Sequence, residues 1–185
     1  MSGSLLLWLT LAMLVFWAVG LYNRLMRMRA RAFSAFGSVE KHLREYVELT
    51  RELTMNAQRE SGYQTLAQRQ ESIPHLAVLL AELELLELAL RDARLKPLAI
   101  EPIAGVQQAI DALKQVWQGL LTLPGDLAGP ALPEDMQARW NAISHRVETS
   151  RNGYNQILLN YNEALAQFPA SLIVGFMGVK PSGLL

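Results

Sequence analysis

The sequence predicts an all-α protein: an N-terminal transmembrane helix followed by an antiparallel bundle of about four long helices. Three observations predict it. No charged side chain occurs before Arg24, and the run from Leu5 to Leu21 is apolar apart from Thr10. Beyond Asn23, apolar residues recur at alternating steps of three and four, broken by proline and glycine. Apolar–polar alternation, the mark of a half-buried strand, is sustained nowhere.

The first element is the membrane segment. About 17 helical residues span roughly 25 Å, the short end for a bilayer crossing. Tyr22 and the long stems of Arg24 and Arg27 extend the match by snorkelling, and Trp17 and Tyr22 fall where an interfacial aromatic belt forms. A cleaved secretory signal is the competing reading, with a small-residue site at Ala18-Val19-Gly20. Such signals carry a positive leader, and residues 1–4 have none. A retained anchor fits better. Arg24, Arg27, Arg29 and Arg31 follow it at once, with Lys41 and Arg44 beyond. By the positive-inside tendency the short N-terminus lies outside and the bulk in the cytoplasm. The same arginines suit anionic lipid headgroups.

Four helices follow. The first is expected from about Arg24 to Glu60, ending near Gly62. The second runs from about Pro74 to Leu95, capped by Ser72 and closed by Pro97. Its glutamates (Glu82, Glu84, Glu87) precede Arg91, Arg94 and Lys96, which suits the helix dipole, and Glu87–Arg91 is an i,i+4 pair. The third runs from about Glu101 to Thr122 with Pro102 in its first turn. Residues 123–133, rich in proline and glycine, form a loop. The fourth starts at Pro133 and reaches Phe168, where Pro169 stops it. Three regions result: an anchor at 1–23, a helical bundle at 24–168 and an apolar tail at 169–185.

The fourth helix has the clearest period: Met136, Trp140, Ile143, Val147, Ser150, Tyr154, Ile157, Tyr161, Ala164 or Leu165, and Phe168. That is a coiled-coil-like seam. The first repeats it less cleanly through Leu25, Met28, Ala32, Ala35, Val39, Leu43, Tyr46 and Leu53. The middle helices are apolar over a wider arc, which implies contact with more than one neighbour. The outer helices are roughly 35 residues and about 52 Å long, the middle pair roughly 22 and about 33 Å. The middle pair therefore cannot cover the outer pair. A thinner two-helix stalk is expected beside the membrane, with apolar surface around Met28, Ala32 and Phe36 and around Tyr161 and Phe168. The tail is expected to pack on this stalk or at the lipid surface.

Composition excludes several chemistries. Lys+Arg and Asp+Glu number 17 each, so no net charge draws the chain to nucleic acid. With no cysteine there is no disulfide scaffold, thiolate zinc site, cysteine nucleophile or lipidated N-terminal cysteine. His42, His75 and His145 are far apart, and no HExxH, Glu-x-x-His, GxSxG, P-loop or dinucleotide motif occurs. No catalytic residue, metal ligand, cofactor or small-molecule substrate is expected. The most informative polar feature is the repeated Tyr-Asn pair: Tyr22-Asn23, Tyr154-Asn155 and Tyr161-Asn162. The last two pairs put both tyrosines on one helical face and both asparagines on the adjacent one. They could grip a partner backbone. The simpler reading is hydrogen bonding between the first and fourth helices that sets their register.

Two stretches are more specific than their periodicity. Residues 21–44 contain Tyr22, Asn23, Leu25, Arg29, Arg31, Ala35, Val39 and Leu43. Residues 154–181 contain Tyr154, Asn155, Tyr161, Asn162, Phe168, Pro169, Gly178 and Lys180. With an N-terminal anchor and a helical body, these resemble the bacterial LemA family. The chain departs from the family pattern at Ala30, Phe36 and Glu40, where asparagine, tryptophan and aspartate are usual. At Leu49 to Leu53 it reads LTREL in place of Leu-Ile-Pro-Asn-Leu, and it ends on Leu184 and Leu185 in place of an aromatic residue. SIPHL at 72–76 looks like the missing signature but lies too far downstream to align with it. The resemblance implies a membrane-anchored helical bundle of poorly defined role without established catalytic residues. The expected function is that of a non-enzymatic scaffold in the bacterial inner membrane, acting through protein partners or self-association. A membrane-remodelling protein and a helical-bundle enzyme are the alternatives.

Overall fold

The computed structural model describes residues 2–60, 66–122, 132–167, 171, 175 and 180–185. Four helices follow in chain order: α1 (Ser2–Glu60), α2 (Leu66–Leu95), α3 (Ile100–Leu121) and α4 (Glu134–Ala166). Among the described residues there is no strand. The expected ends of α3 and α4 are met closely. Two other boundaries differ. The anchor and the first helix are one unbroken helix of 59 residues. Gly20 is its only weak point near the junction, and one glycine costs about 1 kcal/mol, too little to end a long helix. Helix α2 begins at Leu66 and passes through Pro74. Proline removes one i→i−4 hydrogen bond, but its fixed φ is helical, so a helix can run through it at a cost. Phe168, Pro169 and nearly all of the predicted loop and early tail lie outside the described residues.

The helices run antiparallel in sequence. Each step along α1 is matched by a return step along α4. Glu52 pairs with Arg139 at 2.6 Å, and Glu45 pairs with Arg146. The Tyr46 hydroxyl and Ser144 Oγ lie 2.8 Å apart in a hydrogen bond, and the Phe36 and Tyr154 rings lie 5.9 Å apart. On the other side of α1, Arg51 meets Glu87 of α2 at 2.9 Å. Helix α4 reaches α3 through Arg151, which donates to Gln107 Oε1 at 2.6 Å. At the centre of the bundle the indoles of Trp117 and Trp140 stack at 4.0 Å, and Tyr46 leans on Trp140 at 4.3 Å. These three aromatic rings, all buried, tie α1, α3 and α4 together at one level.

Nearer the N-terminal end the bundle thins as expected. Leu25, Tyr161, Ala164 and Leu165 form a separate small cluster, with Leu21, Met26 and Met28 packed on it, all from α1 and α4. Among the described residues, those expected to offer apolar surface there do not, although neighbouring Phe33 and Leu159 are exposed. Ala32, Phe36 and Tyr161 are buried and Met28 is half-buried. The two helices bury them against each other, and residues 180–185 close over α4 beside Tyr161. The leading part of α1 is the opposite case. From Leu5 to Val19 its large apolar side chains are exposed, Phe16 by 84%. This helix is long and apolar enough to cross a membrane.

Trp140→Ala is expected to destabilise the chain by about 3–5 kcal/mol, since it removes both ring contacts, and Tyr46→Phe by about 1 kcal/mol. Denaturant unfolding of the full chain in detergent checks the ranking, and equal losses would contradict it. The charged α1–α4 seam sets the acid limit. Partial burial works to raise the Glu45 carboxyl, but the hydrogen bonds and charges of Arg146 and His42 hold it below its ordinary 4.5. Arg139 likewise lowers Glu52. Carboxyls depressed by folding stabilise fully above their unfolded value and lose that contribution as pH falls through the folded one. Melting temperature should therefore drop between about pH 5 and about pH 3, and less steeply in Glu45→Gln/Glu52→Gln than in the parent.

Candidate functional site

Asn155 and Asn162 lie two turns apart on α4, roughly 10.5 Å along the axis and on nearly the same azimuth. Both reach the C-terminal segment. Asn155 Nδ2 donates to the main-chain oxygen of Leu185 at 2.6 Å, and the Leu185 N–H donates back to Asn155 Oδ1 at 2.9 Å. Asn162 Nδ2 donates to the Ser182 carbonyl and the Ser182 N–H donates to Asn162 Oδ1, both at 2.9 Å. Each carboxamide presents one donor and one acceptor and so takes up both polar groups of one residue, as a neighbouring strand would. Three extended residues cover roughly 10 Å, which matches the rise between the asparagines. The two pairs therefore fix the register of the segment, which runs antiparallel to α4.

The segment fits closely. Ser182 and Leu185 are buried, while Leu184 between them points out. A Cβ on Gly183 would stand 3.0 Å from the Ile100 Cα, a backbone atom that cannot swing aside, so only glycine sits there without displacement. The tyrosines frame the clamp. Tyr154 Oη donates to the Pro97 carbonyl at 2.6 Å, tying α4 to the turn between α2 and α3, and Tyr161 Oη reaches the Lys180 carbonyl at 3.4 Å. Burial pushes the Tyr154 phenol far above its ordinary value, and burial raises Tyr161 against the opposing charge of Arg29. Both therefore remain O–H donors at neutral pH.

This corrects the reading of the Tyr-Asn pairs as α1–α4 register bonds. The chain's own C-terminal backbone takes the hydrogen-bonding capacity of both α4 asparagines. Tyr22 and Asn23 are exposed, and among the described residues their side chains make no hydrogen bond. Phe168 lies outside the described residues. Arg24, Arg27 and Arg31 are exposed, and the Arg29 guanidinium lies 5.6 Å from the Phe33 ring centre. Among the described residues no carboxylate pairs with any of these four arginines. His42 bonds Glu45 at 2.9 Å, and no group of three histidine or carboxylate side chains converges among the described residues. Sequence reasoning missed Ser182, Gly183, Leu185 and Pro97. The one available signal was the match between two helical turns and three extended residues.

The LemA family model matches residues 63–185. The match takes in α2, α3, α4 and the clamp together with its bound segment, and leaves out residues 21–44. No curated protein matches the chain, and no solved structure matches it.

Asn155→Ala with Asn162→Ala should cut amide-exchange protection at Ser182 and Leu185 at least tenfold and destabilise the chain by about 1–3 kcal/mol for each buried polar pair left unmet. Gly183→Val should have the same exchange effect and Leu184→Ala almost none. Unchanged protection in the double variant would remove the clamp as the reason the segment is held.

Proposed function

This chain belongs to the LemA family, and on that footing we propose that it is a single-pass membrane protein that works through protein contacts and not through catalysis. The observation that carries this reading is the leading part of α1. A fully exposed apolar stretch runs without interruption into a packed helical body, and apolar surface of that extent calls for lipid. The four arginines that follow, without a carboxylate partner among the described residues, favour the bulk of the chain on the cytoplasmic side of a bacterial inner membrane, with headgroups as their counter-ions. The clamp supports a non-catalytic role. The carboxamides of Asn155 and Asn162 are engaged with main chain, which suits holding a peptide in place. A scaffold or assembly role follows from a rigid body held at a fixed height above lipid.

Fractionation and topology mapping test this. The full chain should resist extraction from membranes by alkaline carbonate, and deletion of residues 4–21 should release it to the soluble fraction. A reporter fused after Leu185 should be active only on the cytoplasmic side. A mature chain beginning after Gly20 would overturn the anchor, and an externally active reporter would reverse the orientation.

A further inference from the structure

Helix α2 has two apolar faces. One carries Leu79, Leu83, Leu86, Leu90 and Ala93, all in the core. On the opposite side Val78, Ala81, Leu85, Leu88, Asp92 and Leu95 follow at steps of three and four, and all six are exposed, Leu95 by 78%. That is a coiled-coil seam of a and d positions with no partner in this chain. Singly exposed leucines need no explanation, but five apolar residues in heptad register over about 26 Å of helix do. The flanking g positions hold Glu84 and Arg91, both exposed and neither in an ion pair among the described residues.

We propose that this face pairs with the same face of a second copy, antiparallel, about a two-fold axis between Leu85 and Leu88. The spacing is symmetric about that point. Leu85 meets Leu88 of the second copy, Ala81 meets Asp92, and Val78 meets Leu95. Glu84 then lies beside the second copy's Arg91, twice over by symmetry. The parallel alternative brings Asp92 against Asp92 and Arg91 beside Lys96, so like charges oppose it. A seam this short lies at the low end of stable interfaces, so the pairing depends on concentration. Because α1 is continuous and α2 runs antiparallel to it, the two apolar leads leave the pair at opposite ends. Only this last consequence, that the pair joins two facing bilayers or one folded back on itself, rests on the anchor proposed above.

The test uses the full chain in detergent and then in neutral phosphatidylcholine vesicles. Sedimentation should show a monomer–dimer equilibrium. Glu84→Arg and Arg91→Glu should each weaken it at least tenfold, and the two together should restore it, with helicity by circular dichroism unchanged throughout. Vesicle clustering should follow the same order. A monomer at every concentration, or a double reversal no better than either single one, overturns the pairing. Charge-dependent dimers that do not cluster vesicles overturn the bridging geometry, and carbonate extraction of the same vesicles shows separately whether the anchor holds.

Discussion

Helix α4 lies against α1 over most of its length while its other faces meet α3 and the C-terminal segment, and the rest of the molecule depends on its satisfying all three at once. Its indole at Trp140 is shared between Tyr46 of α1 and Trp117 of α3. About one and three turns beyond Arg151, where α4 meets α3, the same helix uses Asn155 and Asn162 to hold residues 185 and 182. A side chain on the buried faces of α4 therefore has little freedom to change, while the face that carries Ala142, His145, Thr149, Asn152 and Leu159 is exposed. The thin end of the bundle, where α2 and α3 have stopped, is kept closed by the C-terminal segment in place of a third helix.

Holding a chain by its main-chain atoms demands a particular chemistry. A carboxylate offers no donor and an ammonium no acceptor, whereas a carboxamide offers one of each at the separation of a peptide unit. Asparagine has a stem short enough to hold that pair rigidly on a helix surface. The four main-chain bonds so made contribute about 0.5–1.5 kcal/mol each, a modest sum. Selectivity comes from shape: the absent side chain of Gly183 beside Ile100, and the buried side chain of Leu185.

Much of the fold was legible because a long helix repeats its signal. The period of α4 foretold Met136, Trp140, Ile143, Val147, Tyr154 and Tyr161 as buried, and all six are. Drift in that period moved burial from Ile157 to Leu158, as a straight helix of 3.6 residues per turn requires. Periodicity shows which faces are apolar and not what meets them. The wide arc of α2 read as contact with several neighbours, yet one side of it faces outward. Proline at position 74 read as a helix start because sequence rules weigh the lost donor and not the compatible dihedral. The clamp was half visible. Its asparagines allowed a backbone ligand, yet interhelical bonding was the simpler reading, because the actual ligand lay in a short segment with no period of its own, and only the fold brings the two together.

The unbroken course of α1 gives the molecule a mechanical property. Its 59 residues extend about 88 Å, and the part beyond Tyr22 about 57 Å. On the anchoring proposed above, this rod would act as a lever arm whose fulcrum is set by the lipid. Tilting the buried end by about 10° sweeps the far end sideways by about 10 Å, roughly the diameter of a helix. Changes in bilayer thickness would thus be magnified at the outer tip, where α1 ends and α2 begins.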